Sequence, residues 1–333
     1  MNKKYDYVII GQGLAGSALA WRLYFNNKSF IILDSEEKFS ASKAALGIYN
    51  PITGRKNIKT WNADILFKEL KSFYIKVEKL LNSKILYRKN IFRPFNNNRD
   101  INDWNIRLGN EKYKKYLKEI NDKGITTKGS GYLDVKKYLQ ETKKYFKRMG
   151  RYKVHKLNNK ELLKENNTIN IDGYDFNKIV MCMGINQNNI NCFSKLQLIP
   201  VAGNSIKAES KFFSDHILNK RISVFNVTKN EIYAGSTYNN GNINKGISSL
   251  KNQINKIINS NFKILKSYFG IRPASKDRRP IVGKHKIINN LFIINGLGSK
   301  GVSQSPYCSK QLFDYIENNK KINIEINIDR IKT

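Results

Sequence analysis

Val8-Ile-Ile-Gly-Gln-Gly-Leu-Ala-Gly-Ser-Ala-Leu-Ala-Trp-Arg-Leu23 sets Gly11, Gly13 and Gly16 in G-x-G-x-x-G spacing. The apolar run Tyr5 to Ile10 precedes the glycines, and an Ala-rich, helix-favouring stretch follows them. The order predicts strand, tight turn, helix. In that setting Gly11 permits the turn, Gly13 lets backbone approach a pyrophosphate, and Gly16 lets helix pack on strand. Leu14 and Ala15 open the helix, whose unpaired N–H groups and partial positive charge would face the phosphates. Ser29-Phe-Ile-Ile-Leu-Asp34 reads as a second buried strand ending in an acid. Asp34 lies about 20 residues past the glycines, where a carboxylate accepts from an adenosine ribose. The alternative is a glycine turn in an ordinary α/β protein with an acidic loop behind it.

The chain has 333 residues and is 40% hydrophobic, enough for a large core and two domains. Its formal net charge is +34. Two readings stand: a polyanionic partner such as tRNA, or compositional drift in a chain heavy in Lys, Asn and Ile with far fewer Arg. Cys182, Cys192 and Cys308 form no metal-binding pattern, so no metal is expected, and their odd number suits a reducing compartment. No stretch is long and apolar enough to span a membrane, and the start of the chain lacks a cleavage pattern. The cytoplasm is the expected location; nothing in the composition fixes an oligomeric state.

Helices are expected over Trp61–Leu81, Tyr132–Arg148, Gly246–Asn259 and from about Ser305 to Asn318. Residues Arg88 to Gly124 read as a polar, irregular insertion. A weak strand is expected at Tyr152–Leu157 and a hairpin at Thr168–Tyr174. Leu196–Ile206, Ile222–Val227 and Glu231–Ser236 read as antiparallel strands, with Lys229-Asn230 as a turn. The fold class is α/β: a Rossmann-like nucleotide-binding domain made of residues 1–85, 132–192 and 268–333. A mainly antiparallel-sheet substrate domain, residues 86–131 and 193–267, is inserted in it.

Four further segments narrow the cofactor: Ala41-Ser-Lys-Ala-Ala-Leu-Gly-Ile-Tyr-Asn-Pro51, Ile179-Val-Met-Cys-Met-Gly184, Phe269-Gly-Ile-Arg-Pro-Ala-Ser-Lys-Asp-Arg-Arg-Pro-Ile-Val-Gly283, and Gly296-Leu-Gly-Ser-Lys-Gly-Val-Ser-Gln-Ser-Pro306. Together they resemble the D-amino-acid oxidase/glycine oxidase superfamily of FAD enzymes. Tyr49 and the Phe73-Tyr74 pair make the chain look most like the oxidoreductase half of the bifunctional tRNA wobble-uridine enzymes. The resemblance implies FAD contacts from Ser42, Gly47, Ile48, Gly184, Gly298, Ser299, Lys300, Gly301 and Val302. It also implies non-covalent FAD, because the cysteine that anchors flavin in sarcosine oxidases aligns with Gly270.

The reaction so implied is oxidation of a C–N bond of a small amine or amino acid, by hydride transfer to flavin. Arg272 would hold the substrate carboxylate; its alternative is a structural ion pair with Asp277. Lys300 would stabilise reduced flavin; its alternative is one more solvated lysine. Tyr49 and Tyr238 would line the substrate side or pack in the core. The three histidines fit no catalytic pattern. Three other functions remain open: a tRNA wobble-uridine (carboxymethylaminomethyl) oxidoreductase, a flavin-binding protein without amine oxidase activity, and an NAD-dependent dehydrogenase. The late glycine loop argues against the last.

Overall fold

The computed structural model describes residues 4–54, 58–95, 97–162, 169–171, 174–193, 196–238 and 243–331. Strand Lys4–Ile10 lies at the centre of a seven-stranded sheet, flanked by Phe30–Asp34 on one side and Tyr174–Met181 on the other. Tyr152–Val154 extends the first side, and Leu291–Asn295 and then Ile281–Lys284 extend the second. Pairing is parallel except at Ile281–Lys284 and at Ile169–Ile171, an offshoot of Tyr174–Met181. The chain therefore leaves the first strand in opposite directions, and the crevice at its carboxyl end is a topological switch point. The turn of the expected Thr168–Tyr174 hairpin lies outside the described residues.

The first helix, Leu14–Phe25, is buried around nearly its whole circumference, so its sequence has little amphipathic period. Trp21 is fully buried beneath it, its indole N–H donating to Thr142 Oγ1 at 2.9 Å. Helices Ala63–Leu81, Val135–Arg148 and Gly301–Asn318 complete that face. Two boundaries moved for local reasons. Gly131–Leu133 is a strand, and the Asp134 carboxylate accepts from Lys137 N at 3.1 Å, so that helix starts at Val135 rather than Tyr132. The C-terminal helix starts at Gly301 rather than near Ser305. Pro306 sits inside it, and the Tyr74 hydroxyl replaces the hydrogen bond that the proline cannot give.

The second sheet has eight strands, in the order Phe262–Ala274, Ile199–Ser210, Glu231–Gly235, Ser223–Asn226, Ile217–Asn219, Ile91–Pro94, Gly124–Thr127 and Leu117–Asn121. It is antiparallel apart from the pairing of Ile217–Asn219 with Ile91–Pro94. Helix Ile243–Asn255 covers one face through Leu250 and Ile254. The stretch read as irregular is thus ordered: strands Ile91–Pro94 and Leu117–Asn121 lie in it, Gly124–Thr127 begins at its end, and helices Asn98–Leu108 and Glu111–Lys114 lie between the first two. Helix Asn98–Leu108 buries one residue, Trp104, against Tyr113, so it leaves no apolar period to read. The expected domain boundary at residue 268 falls inside strand Phe262–Ala274, which pairs with Ile199–Ser210 along its length. Gly270 and Arg272 therefore ride on the antiparallel sheet. No described helix is long and apolar enough to cross a membrane, and no described cluster of His, Cys, Asp and Glu could hold a metal.

Candidate active site

A cavity of about 650 Å³ runs from the carboxyl end of the first strand to the wall of the eight-stranded sheet. The glycine turn forms its floor. Gly11 has φ +102°, a left-handed conformation that favours glycine. A Cβ on Gly16 would stand 1.9 Å from Gly11 O, so only glycine lets helix and turn meet there. Gly16 does not itself line the cavity, whereas Gly11, Gly13, Leu14 and Ala15 do. The Ser42 hydroxyl, on the short helix Ala41–Ala44, accepts from Leu14 N at 3.1 Å and so satisfies an N–H at the start of the first helix.

Asp34 lines the same cavity. Its Oδ1 accepts from Gln12 N at 2.9 Å, and its Oδ2 accepts from Glu36 N at 3.1 Å. The glycine turn itself thus aims the acid. No described Lys or Arg pairs with Asp34, so its carboxylate keeps acceptor capacity for hydroxyl groups. His155 and Asn158, just beyond strand Tyr152–Val154, form the wall beside it. Sequence reasoning missed both, because they sit on a loop with no motif.

Gly47, Ile48, Gly184, Gly298, Ser299, Gly301 and Val302 line the far half. Asn295, also missed, anchors this half by donating from Nδ2 to Gly184 O at 2.9 Å. Lys300 differs from expectation. Its side chain is not part of the cavity wall. Burial, and then the neighbouring charges of Arg279 and Arg278, press its ammonium pKa down. What the loop presents to the cavity instead is the start of helix Gly301–Asn318, with its first-turn N–H groups. Two helix N-termini, at Leu14 and at Gly301, therefore open into one space.

The wall on the side of the eight-stranded sheet is built by Arg272 with Gly235, Ser236 and Tyr238. Arg272 Nη2 donates to Ser236 Oγ at 2.6 Å, and both terminal nitrogens donate to Thr237 O at 3.3 Å. Its guanidinium carbon stands 4.7 Å from the Tyr238 ring centroid. Room for it comes from Gly203, where a Cβ would lie 2.6 Å from Nη2 and 2.3 Å from Thr237 O. The expected alternative pairing with Asp277 is absent: Asp277 binds Arg330 at 2.7 Å. Arg272 thus has no carboxylate partner among the described residues, and burial pushes its pKa down. A desolvated cation held by neutral groups is a place for an anion.

Tyr238 is exposed and lines the cavity, as one of its two readings required. Tyr49 does not reach the cavity. It is 1% exposed and its hydroxyl donates to Tyr87 O at 3.1 Å, so it is a core residue of the small sheet Ile48–Tyr49, Gly131–Leu133, Leu86–Arg88. The sequence could not separate these two tyrosines: Tyr49 lies on a two-residue strand and Tyr238 in the loop after Gly235, and neither stretch is long enough to show a periodic face.

The space fits a dinucleotide: a glycine cradle, an acid for a ribose, and a second helix start reserved for the other arm. The FAD-dependent oxidoreductase family described as DAO matches residues 6–315. Among solved structures the chain is similar to iminodiacetate oxidase from Chelativorans sp. BNC1, at 16% identity over 98% of each chain with a TM-score of 0.79. It is similar to glycine oxidase from Bacillus cereus ATCC 14579, at 20% identity over 98% of this chain and 97% of that one, TM-score 0.72. It is also similar to L-proline dehydrogenase from P. horikoshii, at 15% identity over 98% and 96%, TM-score 0.70. At these identities the likeness is one of fold.

Proposed function

The chain belongs to the DAO family of FAD-dependent oxidoreductases, and from that premise we propose that it oxidises a C–N bond in an amine or amino acid that carries a carboxylate. The observation that carries this reading is Arg272: a desolvated guanidinium without a carboxylate partner among the described residues, in the same cavity as the glycine turn. In this reading the parallel sheet holds the cofactor and the antiparallel sheet presents the substrate. FAD, when bound, would supply the acceptor for the hydride, with its two electrons, that leaves the carbon next to nitrogen.

The chain's own part is to bind and aim. Gly11, Gly13 and the start of the first helix hold the pyrophosphate, and Asp34 the ribose. The helix start at Gly301 places positive potential at the other arm, the task first given to Lys300. Non-covalent attachment is in keeping with Cys182, the one thiol among the described lining residues: it is buried, and burial pushes its pKa up. Arg272 fixes a carboxylate and hence the direction of the reacting C–H bond, and Tyr238 walls the pocket. Among the described residues the eight-stranded sheet brings no acid and no histidine to the cavity, and in this reading the amine loses its proton to water or buffer. The oxidised carbon leaves as an imine that water hydrolyses to amine and carbonyl.

Anaerobic titration of the FAD-loaded protein with glycine, sarcosine, proline and iminodiacetate tests this. Bleaching of the flavin bands by at least one is expected. Arg272→Gln should raise the half-saturating concentration about ten- to hundredfold, the worth of a charge-assisted carboxylate contact. Bleaching by none of a broad amine panel would instead favour a flavin-binding protein without amine oxidase activity. A second reading, supported by the net charge of +34, makes the substrate a carboxymethylaminomethyl uridine in tRNA. It requires tRNA binding that weakens steeply with salt.

A further inference from the structure

Arg221 lies in the turn between strands Ile217–Asn219 and Ser223–Asn226, and it lines the cavity. The ladder sets Ser223 opposite Gly235 and Val224 opposite Ala234. Arg221, Ser236, Tyr238 and Arg272 line the same cavity, and Ser223, two residues after Arg221, pairs with Gly235, next to the segment that Arg272 grips. Arg221 makes no hydrogen bond, ion pair or ring contact with a described residue, and its side chain is exposed. Next to it, Ser223 Oγ accepts from Asn219 Nδ2 at 2.8 Å, and Arg93 Nε holds Asn219 Oδ1 at 2.8 Å. That chain of donors leaves the Ser223 hydroxyl proton free to point into the cavity. The acids among the described lining residues, Asp34 and Glu37, both lie at the end of the second strand, on the other sheet.

This part of the wall therefore holds two guanidinium groups, a hydroxyl donor and no acid. A substrate with one carboxylate would satisfy Arg272 and leave Arg221 unanswered. We propose that the substrate is a dianionic amine, with one carboxylate at Arg272 and a second at Arg221 and the Ser223 hydroxyl, so that Arg221 is a specificity-determining residue. The inference rests on the proposed role of Arg272 and narrows it to a substrate class.

Calorimetry on the FAD-loaded protein tests it with two non-reacting sulfur analogues. Thiodiacetate carries two carboxylates; (methylthio)acetate carries one. Thiodiacetate should bind at least about tenfold tighter. Arg221→Gln should bring the two affinities to within about twofold, while Lys229→Gln, at the other end of the same hairpin, keeps the ratio. A wild-type ratio near one, or equal weakening of both ligands by Arg221→Gln, overturns the proposal. So does a thiodiacetate ratio unchanged by Arg221→Gln together with lost tRNA binding, which would give Arg221 to a phosphodiester. Failure of the Arg272 reading looks different: Arg272→Gln would then bind both ligands as the wild type does.

Discussion

The Tyr74 hydroxyl donates to Val302 O at 3.1 Å. Val302 is the residue whose carbonyl would otherwise accept from residue 306, and residue 306 is proline, which has no N–H. A tyrosine on helix Ala63–Leu81 thus completes the second turn of the C-terminal helix, at the point where that helix meets the cavity. Phe73 and Tyr74 looked like a family signature in the sequence; the contact gives Tyr74 a physical task.

Tyr74→Phe should leave a buried carbonyl unpaired and destabilise the protein by about 1–3 kcal/mol. Pro306→Ala restores an N–H at the right place, so the double variant should recover part of that loss. A double-mutant cycle of thermal or urea midpoints reads the coupling. Additive losses would mean that the hydroxyl does not stand in for the proline.

Gly203→Ala should disable Arg272 without emptying the cofactor site. Its methyl would meet Thr237 O at 2.3 Å and the guanidinium at 2.6 Å, and the nearest backbone cannot yield cheaply. The expected result is a normal bound-flavin spectrum with kcat/KM for the amine down about tenfold or more. Full activity would show that the position of Arg272 is uncritical.

Asp34→Asn keeps the size of the side chain and removes the charge that the Gln12 and Glu36 amides orient. FAD affinity should fall about ten- to hundredfold. The rise in melting temperature on adding FAD should shrink accordingly, with the apo midpoint nearly unchanged. Fluorescence titration with FAD measures the first, and a melting series with and without FAD the second.

Lys136 gives a pH dependence of defined sign. Its ammonium stands 3.4 Å from the Tyr268 ring centroid and 4.3 Å from that of Tyr233. Burial is the main cause pressing its pKa down to about 8, with Lys266 and Lys207 adding to it against Asp134. In the unfolded chain a lysine titrates near ~10.4. Between those values the unfolded state binds more protons, so this residue makes stability rise with pH from about 8 to 10.4. Lys136→Met should flatten that rise relative to the wild type in melting curves taken at pH 7, 8, 9 and 10. An unchanged slope would place the titration elsewhere.

The glycine turn, the acid after the second strand and the late glycine loop were all legible in the sequence. Each is a local backbone demand: a turn, a close approach or a strand end needs a particular residue at a fixed spacing. Those demands fixed an α/β nucleotide-binding fold and pointed to FAD. Three features depended on through-space arrangement and so on the tertiary structure alone. Lys300 lies outside the cavity wall, Tyr49 turned into the core while Tyr238 faced the cavity, and Arg272 came to lie beside Ser236 and not Asp277. Arg221 carried no signal at all. Its place on the cavity wall follows from the pairing of the next strand, Ser223–Asn226, with Glu231–Gly235, and only strand register decides which side chains then share a space.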